Sequence, residues 1–241
     1  MITVKLANIP IQLNNRYPDV ELLCREYETA EASRLLIDVT PEEIEQERRS
    51  QDHPFSDGYL ESVCIYRKLS LELLRFDVFL LHASVVEVDG QGYAFLATSG
   101  TGKSTQTRLW LEHFGTRARV INGDKPLVRM MEDGTFRAYG TPWCGKDGIN
   151  INEKAPVAGV CFLKQAPHNA IRRLESREAL ENILRQTLWK FYDPVRLSAV
   201  LGHLDHFLKR IPVYELENLP VPEAARLSYD TMRRGAEETG L

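Results

Sequence analysis

Residues 97–105, with the sequence ATSGTGKST, are the part of this chain that most restricts its fold. The apolar run Tyr93–Leu96 precedes them, and the segment 103–114 has the composition of a helix. Gly100 and Gly102 give the backbone the freedom to turn its amide N–H groups towards one centre, and the positive end of the following helix lies at the same point. A strand, a glycine-rich turn and a helix in this order predict an α/β fold with a phosphate-binding loop.

This loop also carries the two polar side chains that such a site requires. Lys103 is expected to reach the β- and γ-phosphates of ATP, and the hydroxyl of Ser104 is expected to coordinate Mg²⁺. Ala97 stands where the motif usually begins with glycine, but a small side chain at the end of a strand serves the same purpose. A chance glycine turn is the alternative, and the strand and helix predicted on either side disfavour it. The expected nucleotide-binding residues are Ser99, Gly100, Thr101, Gly102, Lys103, Ser104 and Thr105.

Composition and charge narrow the class of protein. The chain has 241 residues, 43% of them hydrophobic, which is enough for a sizeable core. Its net charge of −4 gives no general attraction for nucleic acid or for an anionic membrane. The four cysteines are widely spaced, without a zinc-binding pair, and suit a reducing compartment. No signal peptide and no membrane-spanning run is recognisable, so we expect a cytoplasmic protein.

The segment before the loop is predicted to be a small β-rich N-terminal subdomain with a linking helix, residues 1–76. Val20–Cys24 and Arg34–Val39 are short and bounded by turn-forming residues, which is typical of strands. Thr40, Pro41 and Glu43 have the pattern of a helix start with a capping box. Apolar residues then recur at helical spacing up to about Phe76.

Residues 77–241 are predicted to be the core, a mixed sheet with flanking helices. Residues 78–88 are expected to form one strand, followed by a tight turn at 89–92 and the strand that leads into the loop. Gly115 is expected to end the helix that begins at Lys103. Further strands are expected at 119–121, 127–131, 135–139, 157–163 and 213–216, and further helices from 176 to about 191, from 194 to about 209, and from about 222.

Four segments in sequence carry a family resemblance: LHASVV (81–86), GYAFL (92–96), SGTGKS (99–104) and VINGD (120–124). Together they resemble HPr kinase/phosphorylase and, more distantly, the phosphate-loop core of ATP-dependent phosphoenolpyruvate carboxykinase. The resemblance covers about residues 79–175. It implies the mixed-sheet core of those kinases, ATP and Mg²⁺ as cofactors, and phosphorylation of a serine hydroxyl on a peptide or protein.

Asp124 is the expected second metal ligand. It follows a predicted strand that should lie beside the loop strand, where a carboxylate reaches the metal that bridges the β- and γ-phosphates. The alternative is an ordinary turn aspartate before Lys125. The family has two adjacent aspartates here, whereas this chain has Gly123, Asp124 and Lys125. If Gly123 matches the first, the metal ligand is kept and the general base is absent. If Asp124 matches the first, Lys125 replaces the metal ligand. We prefer the former.

Two more side chains are candidates for the catalytic set. His82 would border the phosphates if its strand end lies beside the loop, and it would otherwise be a hydrogen-bonded histidine in a buried strand. Lys146, in the glycine-containing segment TPWCGKDG (141–148), would close onto the transferred phosphoryl group, or would belong to a solvated turn.

Other charged residues carry a weaker signal. Arg172 and Arg173 would contact the nucleotide or the acceptor, although charged loop residues are usually only solvated. His203 and His206 have helical spacing, but without a third ligand in view we expect a solvated helix face rather than a metal site.

The sequence therefore predicts an ATP-dependent kinase that acts on a serine of a peptide or protein, with Lys103, Asp124, His82 and Lys146 as its catalytic residues. Two rival hypotheses are a non-catalytic nucleotide-binding sensor or scaffold, and a small-molecule phosphotransferase closer to the carboxykinase. The first 52 residues and the C-terminal helices are the expected places for acceptor recognition or self-association.

Overall fold

In the computed structural model the described residues are 1–98, 100–186 and 194–241, apart from the side chains of residues 185, 186 and 194–196. These residues form two compact units, Met1–Phe76 and Asp77–Leu241. That the two units are separate folding domains remains a prediction.

A small sheet forms part of the first unit. Strands β1 (Ile2–Leu6) and β2 (Ile9–Asn14) are antiparallel and are joined by Ala7 and Asn8, which have φ values of 48° and 63°. Two such residues in succession make the kind of tight turn whose twist matches that of the strands. Strand β3 (Leu35–Asp38) pairs with β2 in parallel. The strand expected at 34–39 is therefore confirmed.

Helices complete this unit and contain more of its residues than the strands do, so the prediction of a β-rich subdomain is wrong and the unit is a mixed α/β structure. Thr40 and Glu43 form the expected capping box, because each side chain accepts a hydrogen bond from the backbone N–H of the other residue, at 3.3 and 2.8 Å. The helical spacing up to Phe76 is also confirmed. The helices are α1 (Pro18–Cys24), α2 (Pro41–Arg49) and α3 (Asp57–Glu72), with short 3₁₀ turns at Arg25–Tyr27 and Leu73–Phe76.

The prediction of a strand at Val20–Cys24 is wrong, since these residues belong to α1. Pro18 occupies the first turn, where its missing N–H costs nothing. Val20 and Cys24 lie four residues apart on one helix face and are both fully buried, whereas Leu22 and Leu23 between them are exposed. That pattern has the period of a helix, and a run of five residues is too short to show it in the sequence.

Nine strands of the described residues form one mixed sheet in the second unit, in the order β4-β8-β9-β10-β6-β5-β7, with β12 beside β10 and β11 beside β12. The expected mixed sheet with flanking helices is therefore present. The strands are β4 (Val78–Leu80), β5 (Ser84–Val88), β6 (Gln91–Leu96), β7 (Ala118–Asn122), β8 (Leu127–Met130), β9 (Phe136–Tyr139), β10 (Lys154–Gln165), β11 (Ala170–Arg173) and β12 (Val213–Asn218).

Helices pack on this sheet as expected from the sequence. Gly115 ends α4 with φ 53°, and its N–H donates to the carbonyl of Leu111. The helix expected from 176 to about 191 is described as far as Gln186, and its remainder lies outside the described residues. The helices are α4 (Lys103–Phe114), α5 (Ser176–Gln186), α6 (Pro194–Arg210) and α7 (Pro222–Thr239), with a 3₁₀ turn at Gly115–Arg117.

Residues 78–88 do not form the single strand that their apolar character predicts. They divide into β4, which pairs with β8, and β5, which pairs with β6 and β7. The intervening residues 81–83 run along the turn after β7, because Leu81 N–H donates to Pro126 O at 3.2 Å and Ala83 N–H donates to Asp124 O at 3.0 Å. An apolar run does not reveal such a break, since the chain stays buried while it changes partner.

Helices α4 and α7 share one buried polar contact above the sheet. Ser228 Oγ accepts hydrogen bonds from Trp110 Nε1 at 3.0 Å and from Gln106 Nε2 at 3.1 Å, and it donates to Ala224 O at 2.7 Å. All three polar side chains are fully or almost fully buried. Trp110 packs against Phe95 of β6, with ring centroids 4.9 Å apart. This packing holds the start of α4 in a defined position relative to the end of β6.

Candidate functional site

The ends of β6 and β7 lie at the same edge of the sheet, but not next to each other. Strand β5 is antiparallel to both and lies between them, so β6 and β7 run in the same direction. The expectation that the strand before Asp124 lies directly beside the loop strand is therefore wrong. Two strand spacings, about 9.6 Å, separate the two strand ends. A long side chain is needed to bridge this gap. Lys103, at the start of α4, reaches across it to Asp124, which follows β7.

The glycine-rich loop between β6 and α4 is open towards solvent. Gly100 and Gly102 have φ values of 81° and 109°, which favour glycine, and a Cβ added to either would meet nothing within 4 Å. Gly102 caps α4 without a side-chain hydrogen bond. The amide groups of the first helical turn have no partner within their own helix, so this end of α4 can accept an anion.

The other described residues of the segment 97–105 lie beside these two glycines or in the first turn of α4. Ala97 is 3% exposed and belongs to the core cluster above the sheet, which accounts for a small apolar residue at this position. Thr101 N–H donates to Thr98 O at 3.1 Å and closes the turn. Thr105 is half-buried in the first turn of α4. Ser99 lies outside the described residues.

One carboxylate, that of Asp124, gathers three basic side chains. Lys103 Nζ and His82 Nε2 both lie 2.9 Å from Asp124 Oδ1, and Lys125 Nζ lies 2.7 Å from Asp124 Oδ2. His82 reaches this position because it lies in the 81–83 break between β4 and β5. The structure therefore brings together three of the four predicted catalytic residues.

The electrostatic surroundings of Asp124 keep its side chain charged. Its side chain is 17% exposed, and burial by itself raises the pKa of the carboxyl. The hydrogen bond from His82 and the interactions with Lys125 and Lys103 lower the pKa by more, so it lies well below its usual range. Asp124 is thus an anion at neutral pH, paired with the basic side chains around it.

A loop of residues 141–150 covers Asp124. Gly145, with φ 77°, lies so close that a Cβ there would meet Asp124 Cβ at 2.8 Å. Asn122 holds the base of this loop, because its Nδ2 donates to Thr141 O at 3.0 Å while its Oδ1 accepts from Asp124 N–H at 2.9 Å. Asn122 is fully buried, so it ties the loop and the Asp124 turn into one structure.

Asp147 is the side chain of this loop that reaches the glycine-rich segment. Its Oδ2 accepts a hydrogen bond from Ser104 Oγ at 2.6 Å. Sequence reasoning missed Asp147 and chose its neighbour Lys146, which is exposed and makes no ion pair with any described residue. The flanking glycines of GKDG in the sequence mark a turn, but nothing local indicates towards which residue the turn points.

Two further charged residues considered in the sequence, Arg172 and His203, have partners other than Asp124. Arg172 pairs with Glu178 at 2.6 Å and with Glu215 at 2.9 Å on the β11–β12 edge. His203 is mostly buried, with its Nε2 3.4 Å from Asp77 Oδ1, so the expected solvated helix face is wrong for this residue.

The residues near Ser104 fit a hard divalent cation. Among the described residues, no group of three or more histidine, cysteine, aspartate or glutamate side chains is arranged to hold a metal by itself. Among the described residues, the oxygen donors near the loop include the Ser104 hydroxyl and the carboxylates of Asp124 and Asp147, and oxygen ligands of this kind are those that Mg²⁺ prefers. Mg²⁺ typically binds one or two carboxylates together with phosphate oxygens and water, so an incomplete protein shell is expected.

Comparisons with known proteins give little more. No family model matches the chain, and no curated protein is similar to it in sequence. Among solved structures, the chain is similar to the HPr(Ser) kinase/phosphatase from Coxiella burnetii, with 13% identity over 67% of this chain and 99% of that chain and a TM-score of 0.37. A TM-score this low supports no argument about function. Within the described part of the chain, no helix combines the length and apolarity needed to cross a bilayer.

Proposed function

We propose that this chain is an ATP-dependent kinase that transfers the γ-phosphoryl group to a serine hydroxyl of a peptide or protein. One observation carries the proposal: Lys103 Nζ lies 2.9 Å from Asp124 Oδ1 beside the uncapped, amide-rich start of α4. A lysine, a carboxylate and a set of free amides at one helix N-terminus are the groups that phosphoryl transfer requires, because the reaction depends on positioning and charge neutralisation.

Each residue has a defined task in this proposal. The amides around Gly100 and Gly102 bind the phosphates of ATP, and Lys103 exchanges its contact with Asp124 for one with the β- and γ-phosphates. Ser104 and Asp124 would hold Mg²⁺, which when bound supplies neutralisation of the phosphate charge. His82 keeps the Asp124 carboxylate oriented through its hydrogen bond.

The acceptor enters on the open side of the loop. The serine oxygen forms a bond to the γ-phosphorus, the bond from that phosphorus to the β,γ-bridging oxygen breaks, ADP leaves with the electron pair, and the hydroxyl proton is released to solvent. A loose transfer of this kind makes little demand on a general base. Lys146, exposed at the tip of the 141–150 loop, is in our proposal the residue that approaches the transferred group.

A second candidate function is binding of nucleotide without turnover. It is favoured by Gly123, because the kinases that this sequence resembles carry an aspartate at the position that we match to it. A Cβ at Gly123 would meet the carbonyl oxygens of Cys144 and Ile149 at 3.2 and 3.3 Å. The two functions therefore differ in whether the chain transfers the phosphoryl group after it has bound the nucleotide.

The test is incubation of the full chain with Mg²⁺ and γ-labelled ATP, together with the products of neighbouring genes and with serine-containing peptides. We expect label on serine, identified by phosphoamino-acid analysis. The Lys103→Ala variant should lose transfer by about 10²-fold or more, because a charge that stabilises the transition state is gone. Lys209→Ala, which removes an exposed lysine paired with Asp205, is the matched control and should transfer normally.

Other outcomes would change the assignment. Binding of Mg-ATP without labelling of any acceptor would support the nucleotide sensor or scaffold. Label on a small metabolite would support the small-molecule phosphotransferase. Absence of nucleotide binding by the wild-type chain would refute the proposal altogether.

A further inference from the structure

We propose that Asp147, delivered from the 141–150 loop, supplies a second carboxylate to the metal site in addition to that of Asp124. This inference rests on the proposed function, because it assigns a residue to the Mg²⁺ that accompanies ATP. It goes beyond the metal ligands expected from the sequence, which are Ser104 and Asp124.

The base of the 141–150 loop is held rigidly, so the position of its tip is defined. Asn122 Nδ2 donates hydrogen bonds to the backbone oxygen and to the side-chain oxygen of Thr141, at 3.0 and 3.1 Å. Asn150 Nδ2 donates to the same Thr141 carbonyl at 2.8 Å and brings the two ends of the loop together. Gly123 N–H donates to Ile149 O at 2.9 Å and attaches the loop to the end of β7.

The tip of the loop is a tight turn that presents an acidic side chain. Gly145 and Gly148 have φ values of 77° and 63°, and Gly148 N–H donates to Gly145 O at 3.3 Å. Gly145 rests on Asp124, which leaves no room for a side chain there. Because the turn is fixed at Gly145, the side chain of Asp147 extends towards α4 and meets Ser104 Oγ at 2.6 Å.

Gly123 and Asp147 are explained together by this arrangement. The carbonyl oxygens of Cys144 and Ile149 lie 3.2 and 3.3 Å from the position of a Cβ at residue 123, so a side chain there would displace the loop by a few tenths of an ångström. The same loop, packed closely on Gly123, brings the Asp147 carboxylate to Ser104. Asp124 and Asp147 are thus two acidic side chains near the phosphate loop.

Charge gives this placement a measurable consequence. An anion beside the Ser104 hydroxyl repels the phosphates of a nucleotide that arrives without a metal, and it attracts the cation of one that arrives with it. Asp147 should therefore strengthen metal binding and should not strengthen binding of metal-free nucleotide. A side chain that only stabilises the loop would change both in the same direction.

The experiment measures binding, not turnover, on the full chain. The concentration of free Mn²⁺ is measured by electron paramagnetic resonance in the presence of saturating ADP. The binding of metal-free ADP is measured separately, by calorimetry in the presence of EDTA. For Asp147→Asn we expect Mn²⁺ affinity to fall by about tenfold, whereas ADP affinity in EDTA stays equal or rises. Asp147→Glu should recover part of the Mn²⁺ affinity, since it restores the charge.

Controls separate this inference from the proposed function. Asp52→Asn, which neutralises an exposed aspartate of the first unit, should leave both affinities unchanged. If Asp124→Asn weakens Mn²⁺ binding and Asp147→Asn stays within twofold of wild type, the role of Asp147 is rejected while the proposed function stands. An equal loss of ADP affinity in EDTA also rejects it. If the wild-type chain binds neither ADP nor Mn²⁺ with ADP, both are rejected.

Discussion

Removal of the Asp124 carboxylate should destabilise the ligand-free protein more than removal of Lys103. Asp124 has three basic neighbours, so Asp124→Asn leaves Lys103, Lys125 and His82 crowded around a neutral amide. Lys103→Ala leaves Asp124 with two partners. We expect a loss of about 2–3 kcal/mol in the free energy of unfolding for Asp124→Asn and about 1 kcal/mol for Lys103→Ala.

The coupling between the two residues can be bounded from the geometry. At 2.9 Å and an effective dielectric constant of about 20, two unit charges attract by about 6 kcal/mol. Both side chains are largely buried, at 14% and 17% exposure, so desolvation offsets most of this attraction. A double-mutant cycle should therefore give a favourable coupling of about 1–2 kcal/mol.

The assay is urea denaturation followed by tryptophan fluorescence. Trp110 and Trp143 lie in the second unit, which contains the pair, so their fluorescence reports on that part of the chain. The cycle is repeated with saturating Mg-ADP. The coupling should then shrink, because Lys103 transfers its contact to phosphate.

Two results would refute this reasoning. The first is a larger destabilisation by Lys103→Ala than by Asp124→Asn, which would mean that Asp124 is not the centre of the charge cluster. The second is a coupling that is the same with and without Mg-ADP, which would mean that Lys103 does not exchange partners.

Two further predictions concern stability. The pKa of Asp124 is lower in the folded chain than in the unfolded one, so its contribution is present above the unfolded value of about 4 and is lost as the pH falls through the folded value. The stability difference between wild type and Asp124→Asn should thus begin to shrink below about pH 5 and shrink further at each lower pH, in urea titrations at each pH; a difference that grows towards acid would contradict this. Ser228→Ala should cost about 2–3 kcal/mol, because it leaves the buried donors of Trp110 and Gln106 unpaired, and a loss below about 0.5 kcal/mol in the same titration would argue against that network.

Local chemistry explains which elements were predictable. The β5–β6 hairpin follows from the turn residues between two apolar strands, and α4 follows from helical composition that ends in Gly115. The capping box at Thr40 likewise depends on side chains within four consecutive residues, Thr40 to Glu43. In each case the interacting groups are close in sequence, so the pattern alone indicates the structure.

The errors have a common cause in long-range pairing. The break at 81–83, where His82 leaves the sheet to meet Asp124, depends on β4 and β5 having different partners. Strand β11 was missed because Ala170–Arg173 is mostly exposed and shows no apolar alternation. Neither feature is encoded by spacing within the segment itself.

For the candidate site, the sequence by itself determined the glycine-rich loop at the start of α4, with Lys103 and Ser104 at its end, because those residues are contiguous. Only the tertiary structure decided that β5 separates β6 from β7, that Asp124 meets both Lys103 and His82, and that Asp147 meets Ser104. The physical reason is that hydrogen bonds across 20 to 45 positions depend on strand order and on the packing of a loop against Gly123, and neither leaves a local pattern in the sequence.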